Sequence, residues 1–197
     1  MRQAGTRRAD RAARASGARW RQRPEYRAAP SDRRVPAWRI QVPEETVSFR
    51  DKLQGDCAQN LAAECGDFIL RRSDGVYAYQ LAVVVDDAFQ GVTQVVRGSD
   101  LLDSAPRQLW LQKELGLPHP EYGHVPLLLS PDGRRLAKRD RDQELSQLKE
   151  RFTAPQLVGR LALAAGLIPE YAPITPAQLL PYFAWDKLPR RDFVFEL

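Results

Sequence analysis

The chain contains 197 residues, a length that suits one domain or one domain with a small appendage. Hydrophobic residues make up 43% of it and charged residues 28%, a balance that excludes a fully disordered or collagen-like chain. No apolar run approaches the ~18 residues that span a bilayer, and the arginine-rich N-terminus lacks the apolar centre of a signal peptide. We therefore predict a cytoplasmic protein without membrane association.

Charge is distributed unevenly along the chain. Residues 1–40 contain twelve arginines and three acidic residues, a net charge of +9, whereas the whole chain carries +5, so the other 157 residues carry −4. Clustered arginines neutralise phosphates, and one interpretation of this segment is therefore a nucleic-acid contact. The other is a solvated, disordered tail, because the segment has no helical stripe of apolar residues.

Cysteine and histidine are scarce. Cys57 and Cys65 do not form a CxxC pair, and we expect both to be small, buried or half-buried side chains. With only two histidines, His119 and His124, the chain has too few ligands for a conventional Cys/His zinc site.

The first predicted elements are strands. Apolar and polar residues alternate at residues 38–42 and 46–49, a pattern typical of a β-hairpin, with its turn beginning at Pro43. Residues 68–72 predict a further strand, and Ser73-Asp-Gly75 predicts the turn that follows it.

Two further strands complete the predicted sheet. The stretch from Tyr77 to Val85 ends in a continuous apolar run, which is typical of a strand covered on both faces, and Asp86-Asp87 follows it. A second apolar strand is predicted at residues 92–96, immediately before Arg97. Ligands of α/β sheets bind beyond the carboxyl ends of strands, where these two acids and Arg97 would lie.

Helices are predicted in the second half of the chain. Ser104 and Pro106 form a helix start, and the helix would continue to Gly116. Three further helical segments, separated by prolines and a glycine, are predicted at residues 143–152, 154–165 and 176–183. The order of elements predicts an α/β domain followed by a small helical appendage.

Judged from residue type and sequence spacing alone, three features could take part in binding or catalysis. Arg97 could bind a carboxylate through two parallel hydrogen bonds, or form only a surface ion pair. Tyr77 and Tyr79 would share one strand face, where a hydroxyl could position a ligand or the rings could pack in the core. The basic turn at residues 133–139 could close over a polyphosphate, or be a solvated turn. Composition and spacing leave these alternatives open.

Six segments stand out by their sequence: GDFILRRSDG at 66–75, YAYQLAVVVDD at 77–87, GVT at 91–93, VRGSD at 96–100, PRQ at 106–108 and HVPL at 124–127. Together they resemble the catalytic core of the glutamyl-tRNA synthetases, a class I aminoacyl-tRNA synthetase family. The resemblance covers residues 36–197 and is nearest to the short bacterial glutamyl-Q tRNA(Asp) synthetases. It implies the C-terminal half of a Rossmann-type α/β catalytic domain.

The resemblance also implies an activity. In this group of enzymes glutamate is activated with ATP, which binds with Mg²⁺, and is then esterified to queuosine in tRNA(Asp). That reaction modifies a tRNA and is not the charging step of protein synthesis. Glutamate, ATP and tRNA(Asp) would be the partners of a monomeric ligase.

Site residues follow from the same resemblance. The tyrosine of the family's glutamate pocket falls on Tyr79, and the pocket arginine falls on Arg97. The family's KMSKS signature falls on residues 135–139, which makes Lys138 the ATP-binding lysine and the candidate catalytic residue, because its charge would stabilise departing pyrophosphate. The segment departs from the signature at its first lysine and its serine, and it reads Arg135, Leu136, Ala137, Lys138 and Arg139.

The family's N-terminal features are not found in this sequence. The family begins with a HIGH-type loop and a zinc-binding insertion; here Gly5-Thr-Arg7 resembles the end of that insertion with Arg7 in place of its last cysteine, so we expect the zinc site to be lost. We predict a disordered basic arm at residues 1–35, an α/β catalytic portion at 36–140 and a helical appendage at 141–197. We expect an incomplete enzyme that is inactive alone. The alternatives are a non-catalytic tRNA-binding remnant and a fragment of a glutamyl-tRNA synthetase.

Overall fold

The computed structural model describes residues 20–21, 36–136 and 145–195, which form two compact units. Of the described residues, the first unit comprises 20–21, 36–51, Gly55–Val95 and Leu101–Tyr122. The second comprises Lys52–Gln54, Val96–Asp100, 123–136 and 145–195. Within the described ranges, no helix is long and apolar enough to cross a membrane.

The first unit contains a three-stranded sheet made of β1 (Trp20–Arg21), β2 (Trp38–Ile40) and β5 (Phe68–Arg71). The strands lie in the order β1-β2-β5, and both pairings are antiparallel. The predicted strand at residues 68–72 is therefore confirmed. β1 falls inside the predicted basic arm, whose other residues lie outside the described part of the chain.

The predicted hairpin between residues 38–42 and 46–49 is wrong. β3 (Thr46–Asp51) pairs instead with β4 (Gly55–Asn60), antiparallel, so that Asp51 faces Gly55 across the turn. Gly55 has φ +86°, a left-handed conformation that a residue with a side chain rarely adopts.

Burial explains why β2 takes a distant partner. Ile40 of β2 packs in one apolar cluster with Phe68 and Leu70 of β5, and all three side chains are less than a tenth exposed. The alternating pattern identified both segments as strands, but the partner of each strand is selected by contacts far along the chain.

The predicted strand from Tyr77 to Val85 is also wrong, because the segment forms helix α1 (Tyr79–Gln90). Leu81, Val84 and Val85 are its buried residues, and their spacing of three and four places them on one helical face. The continuous apolar run therefore reflects a helix packed on one face and not a strand covered on two.

Asp86 and Asp87 consequently lie inside α1 and not at the end of a strand. Asp86 is exposed and Asp87 is half-buried, which is consistent with the outer face of the helix. The helix ends at Gly91, whose φ of +69° closes the C-terminus with hydrogen bonds from its N–H to the carbonyls of Asp87 and Ala88.

Helix α2 (Ala105–Leu115) confirms the predicted helix from Ser104 to Gly116. Its Trp110 packs edge-to-face on Phe68 with ring centroids 6.3 Å apart. The same apolar cluster includes the buried face of α1, so the two helices and β5 share the core of the first unit.

Strands β6 (Gln94–Gly98) and β7 (Glu121–Val125) form a two-stranded sheet. β6 corresponds to the strand predicted at residues 92–96, displaced by two residues, so Arg97 lies within the strand and not beyond it. A 3-10 helix at Ser99–Ser104 follows directly.

The C-terminal part of the second unit is mainly helical, as predicted. It contains α3 (Leu145–Arg151), α4 (Ala154–Ala164) and the short α5 (Pro176–Leu179). Threonine capping boxes begin α4 and α5. The chain then returns, so that β9 (Phe193–Val194) pairs in parallel with β8 (Leu128–Leu129).

Candidate active site

Arg97 is a half-buried residue of β6, and its side chain has a defined partner. The Arg97 Nε–H donates a hydrogen bond to His124 Nε2 over 2.9 Å. His124 lies on β7 and is fully buried, with 0% of its surface exposed. The contact helps to orient the guanidinium, and an arginine side chain can bind a carboxylate through two parallel bonds.

Tyr79 is the first residue of α1 and is 52% exposed. Its expected position beside Tyr77 on one strand face is wrong, because the backbone turns into the helix between them. Tyr77 instead lies under the Arg71 guanidinium, 5.5 Å from the ring centroid.

A buried polar chain supports the same end of α1. Gln108 Nε2 donates to Gln80 Oε1 over 2.8 Å, and Gln80 Nε2 donates to Ser104 Oγ over 3.1 Å. Gln108 and Ser104 are both buried. Because buried amides are costly to leave unpaired, this chain fixes the start of α1, and with it the backbone of Tyr79. Sequence reasoning missed it, although residues 106–108 belong to the segments that carry the resemblance.

The turn that precedes the basic segment 135–139 is well defined. Ser130 N–H donates to the carbonyl of Arg134, and Leu136 N–H donates to the carbonyl of Leu128 over 3.0 Å. Gly133 has φ +77°, which the turn requires. Ala137, Lys138 and Arg139, three of the predicted site residues, lie outside the described residues.

Arg135 is exposed and forms an ion pair with Asp100, Nη1 to Oδ2 over 2.7 Å. Asp100 follows Arg97 by three residues, so the pair joins the basic segment to the segment after β6. Gly98 makes room for the acidic partner, because a Cβ there would come within 2.5 Å of Asp100 Oδ1. Spacing along the sequence could not reveal this pair, since 35 residues separate its members.

Asp192 connects three parts of the second unit. Its Oδ1 accepts hydrogen bonds from the Leu127 N–H over 2.8 Å and from Ser99 Oγ over 3.2 Å. A single carboxylate therefore links the C-terminal segment to the end of the HVPL motif and to the residue after β6.

Asp132 interacts with both sides of its turn. Ser130 Oγ donates to one carboxylate oxygen and the Arg134 guanidinium to the other. These hydrogen bonds, that from Ser130 first, hold the pKa of Asp132 below its ordinary value of 3.8. The carboxylate therefore stabilises the turn in its charged form.

The structure brings Arg97 together with His124, and Arg135 together with Asp100, all within the second unit. Tyr79 belongs to the first unit. Among the described residues there is no group of three or more His, Cys, Asp or Glu side chains that could hold a metal ion.

The chain matches a known family by sequence. A profile described as tRNA synthetases class I (E and Q), catalytic domain, matches residues 1–170. A glutamyl-Q tRNA(Asp) synthetase of Symbiobacterium thermophilum is 47% identical over 167 residues, which are 84% of this chain and 51% of the relative. One of Thiobacillus denitrificans is 46% identical over 153 residues, 78% of this chain and 50% of the relative. The chain thus spans about half the length of these curated relatives.

Solved structures agree on the fold. A glutamate tRNA ligase from Elizabethkingia meningosepticum, solved in complex with its amino acid, aligns with a TM-score of 0.68 at 22% identity, over 81% of this chain and 36% of that one. A glutamate-tRNA synthetase from Elizabethkingia anophelis aligns with a TM-score of 0.67 over the same shares. The fold is that of a class I synthetase catalytic domain.

Proposed function

Because this chain belongs to the class I tRNA synthetases for glutamate and glutamine, we propose that it forms part of a ligase that activates glutamate with ATP and esterifies it to queuosine in tRNA(Asp). The observation that supports the proposal most directly is Arg97, a half-buried arginine that His124 helps to orient. The names of the relatives, which match this chain at about half identity, support the choice of tRNA(Asp).

Arg97 binds the side-chain carboxylate of glutamate in this proposal, which leaves the α-carboxylate to attack ATP. A guanidinium supplies two parallel, charge-assisted hydrogen bonds to a carboxylate, and a substrate amide or apolar side chain cannot accept both. The arginine therefore both binds the amino acid and favours it over neutral competitors.

Tyr79 supplies a second contact to the amino acid. Tyr79, a residue that is 52% exposed, lies at the start of α1, which the Gln108–Gln80–Ser104 chain fixes from within. A hydroxyl in a fixed position can orient the substrate without adding charge.

Lys138 acts on ATP, together with Arg135, Leu136, Ala137 and Arg139 of the basic segment. Attack of the glutamate carboxylate on the α-phosphate forms a glutamyl adenylate and releases pyrophosphate, so negative charge accumulates on the departing group. A lysine stabilises that charge, and Mg²⁺ enters with ATP as part of the substrate.

The tRNA contacts are assigned by charge. The arginine-rich segment 1–35 contributes non-specific phosphate contacts, which position a tRNA without reading its sequence. The catalytic portion at 36–140 and the appendage at 141–197 belong to a monomeric, cytoplasmic ligase in this proposal.

Glutamate transfer tests the function. The chain is joined to the N-terminal half of the Symbiobacterium thermophilum relative, and radiolabelled glutamate is offered with ATP and tRNA(Asp) isolated with or without queuosine. We expect ATP-dependent labelling only of the queuosine-containing tRNA(Asp). A control enzyme with both halves from the relative confirms the assay.

Other outcomes identify the alternatives. Labelling of tRNA(Glu) in place of tRNA(Asp) would indicate a glutamyl-tRNA synthetase. Binding of tRNA without any transfer by the joined protein, while the control enzyme is active, would indicate a non-catalytic tRNA-binding protein.

A further inference from the structure

His124 and Arg97 form a contact whose chemistry can be assigned atom by atom. An arginine guanidinium donates hydrogen bonds and never accepts them. Because Arg97 Nε lies 2.9 Å from His124 Nε2, that ring nitrogen must present its lone pair. The imidazole is therefore neutral in this contact, with its proton on Nδ1.

Burial and packing hold His124 in place. The side chain is fully buried, and the Gln54 amide donates to the His124 backbone carbonyl over 3.0 Å. At the preceding residue, Gly123, the ring of Trp185 packs so closely that a Cβ would come within 2.5 Å of it. An acceptor held from several sides is a rigid partner for Arg97.

The contact determines which edge of the guanidinium can bind a carboxylate. Arginine offers two forks to carboxylates, one formed by Nε with a terminal nitrogen and one formed by the two terminal nitrogens. His124 occupies Nε, so a carboxylate that binds through a fork must use the terminal pair. The direction of approach is thereby fixed.

We propose that His124 is a positioning residue that orients Arg97 end-on toward the substrate carboxylate. The proposal rests on the proposed function for the identity of the substrate, glutamate. His124 acts through Arg97 and touches no substrate atom itself. Its removal should weaken glutamate binding because the Arg97 Nε–H loses its acceptor and the guanidinium loses one of the contacts that orient it.

Matched variants distinguish the effect of the hydrogen-bond acceptor on His124 from the effect of its side-chain volume. In His124→Gln the side-chain oxygen can reach the position of Nε2 and still accept a hydrogen bond. His124→Leu fills the space without an acceptor, and His124→Asn keeps polarity but is too short to reach Arg97. His119→Gln, at the exposed second histidine, is the control. If His124→Leu fails to fold, the comparison of His124→Asn with His124→Gln still tests whether Arg97 needs a hydrogen-bond acceptor at this position.

The first readout does not depend on activity. In ¹H–¹⁵N spectra of the 197-residue chain, the Arg97 Nε–H signal is identified by its loss in Arg97→Lys. We expect slow solvent exchange of this proton in the unsubstituted chain, in His119→Gln and in His124→Gln, and fast exchange in His124→Leu and His124→Asn. The His124 ring should show the correlation pattern of the Nδ1–H tautomer. An Nε2–H tautomer, or exchange unchanged in His124→Leu, would overturn the proposal.

The second readout is the dissociation constant for glutamate, from titration of the same variants in the chain joined to the N-terminal half of the Symbiobacterium thermophilum relative. Loss of a hydrogen bond to a charged group should raise it roughly 10- to 100-fold in His124→Leu, while His124→Gln stays within about threefold. Equal weakening in both variants would overturn a role for the lone pair. If no sample binds glutamate, the proposed function fails, while the exchange data still decide whether His124 orients Arg97.

Discussion

Arg135 Nη1 lies 2.7 Å from Asp100 Oδ2, which joins the first residue of the basic segment to the segment that follows β6. The arginine side chain is 58% exposed and the aspartate side chain 28%. Water screens an ion pair that is this exposed, so the pair contributes little to the free energy of unfolding. Its main effect is to hold the Arg135 side chain beside Asp100.

Substitution of Arg135 tests this interpretation. We expect Arg135→Gln to lower the free energy of unfolding by only about 0.2–1 kcal/mol, measured by urea denaturation. Arg72→Gln is a matched control, because Arg72 forms a similarly exposed pair with Asp74 over 2.7 Å. A loss above ~2 kcal/mol in Arg135→Gln alone would show that the pair stabilises the fold.

Gly123 should not tolerate a side chain. Its Cβ would come within 2.5 Å of Cη2 and within 3.0 Å of Cζ3 of Trp185, and an indole ring cannot move without repacking its neighbours. We expect Gly123→Ala to destabilise the chain by about 1–3 kcal/mol in thermal or urea unfolding. Gly123→Ala combined with Trp185→Leu should cost less than the sum of the two changes; strict additivity would exclude the contact as the cause.

Gly159, inside α4, gives a prediction opposite to helix propensity. Alanine in place of a helical glycine normally stabilises by about 1 kcal/mol. Here a Cβ would overlap the backbone carbonyl of Ala172, which cannot step aside as a flexible side chain can. We therefore expect Gly159→Ala to lower the melting temperature; a rise would show that the helix and the segment at Ala172 are not packed closely.

Asp132 should titrate below its ordinary pKa of 3.8, because Ser130 and Arg134 stabilise its charged form. A carboxyl group whose pKa is lowered on folding contributes stability above its ordinary pKa, and the contribution is lost as the pH falls through the lowered value. NMR titration of the side-chain carboxyl should give the low pKa in the unsubstituted chain and a higher one in Ser130→Ala. An Asp132 that titrates at or above its ordinary value would contradict the turn geometry.

The sequence predicts local elements better than their partners. Ser104 and Gly116 mark the ends of α2 because capping is a property of a few adjacent residues. The continuous apolar run from Leu81 to Val85 predicts a strand covered on both faces, but burial of only one face, at Leu81, Val84 and Val85, selects a helix. Pairing of β2 with β5 depends on burial between segments 28 residues apart, which no local pattern encodes.

For the site too, the sequence indicates individual residues but not their partners. The family resemblance points to Arg97 and Tyr79, and only the structure shows which residues surround them. In the sequence His124 is one of two histidines and the first residue of the HVPL segment, but nothing there relates it to an arginine 27 residues away. The contact between Arg97 and His124 exists only because β6 pairs with β7, and this pairing is visible only in the structure.

The proposed function depends on binding of the glutamate side-chain carboxylate by Arg97. It can be tested by glutamate-dependent ATP–pyrophosphate exchange in the protein joined to the relative's N-terminal half, with Arg97 intact and with Arg97→Lys. A point charge cannot reproduce a forked contact, so we expect kcat/KM for glutamate to fall roughly 10- to 160-fold, which corresponds to about 1.5–3 kcal/mol of lost transition-state stabilisation, with KM for ATP unchanged. Unchanged glutamate kinetics in Arg97→Lys would contradict the proposed role of Arg97.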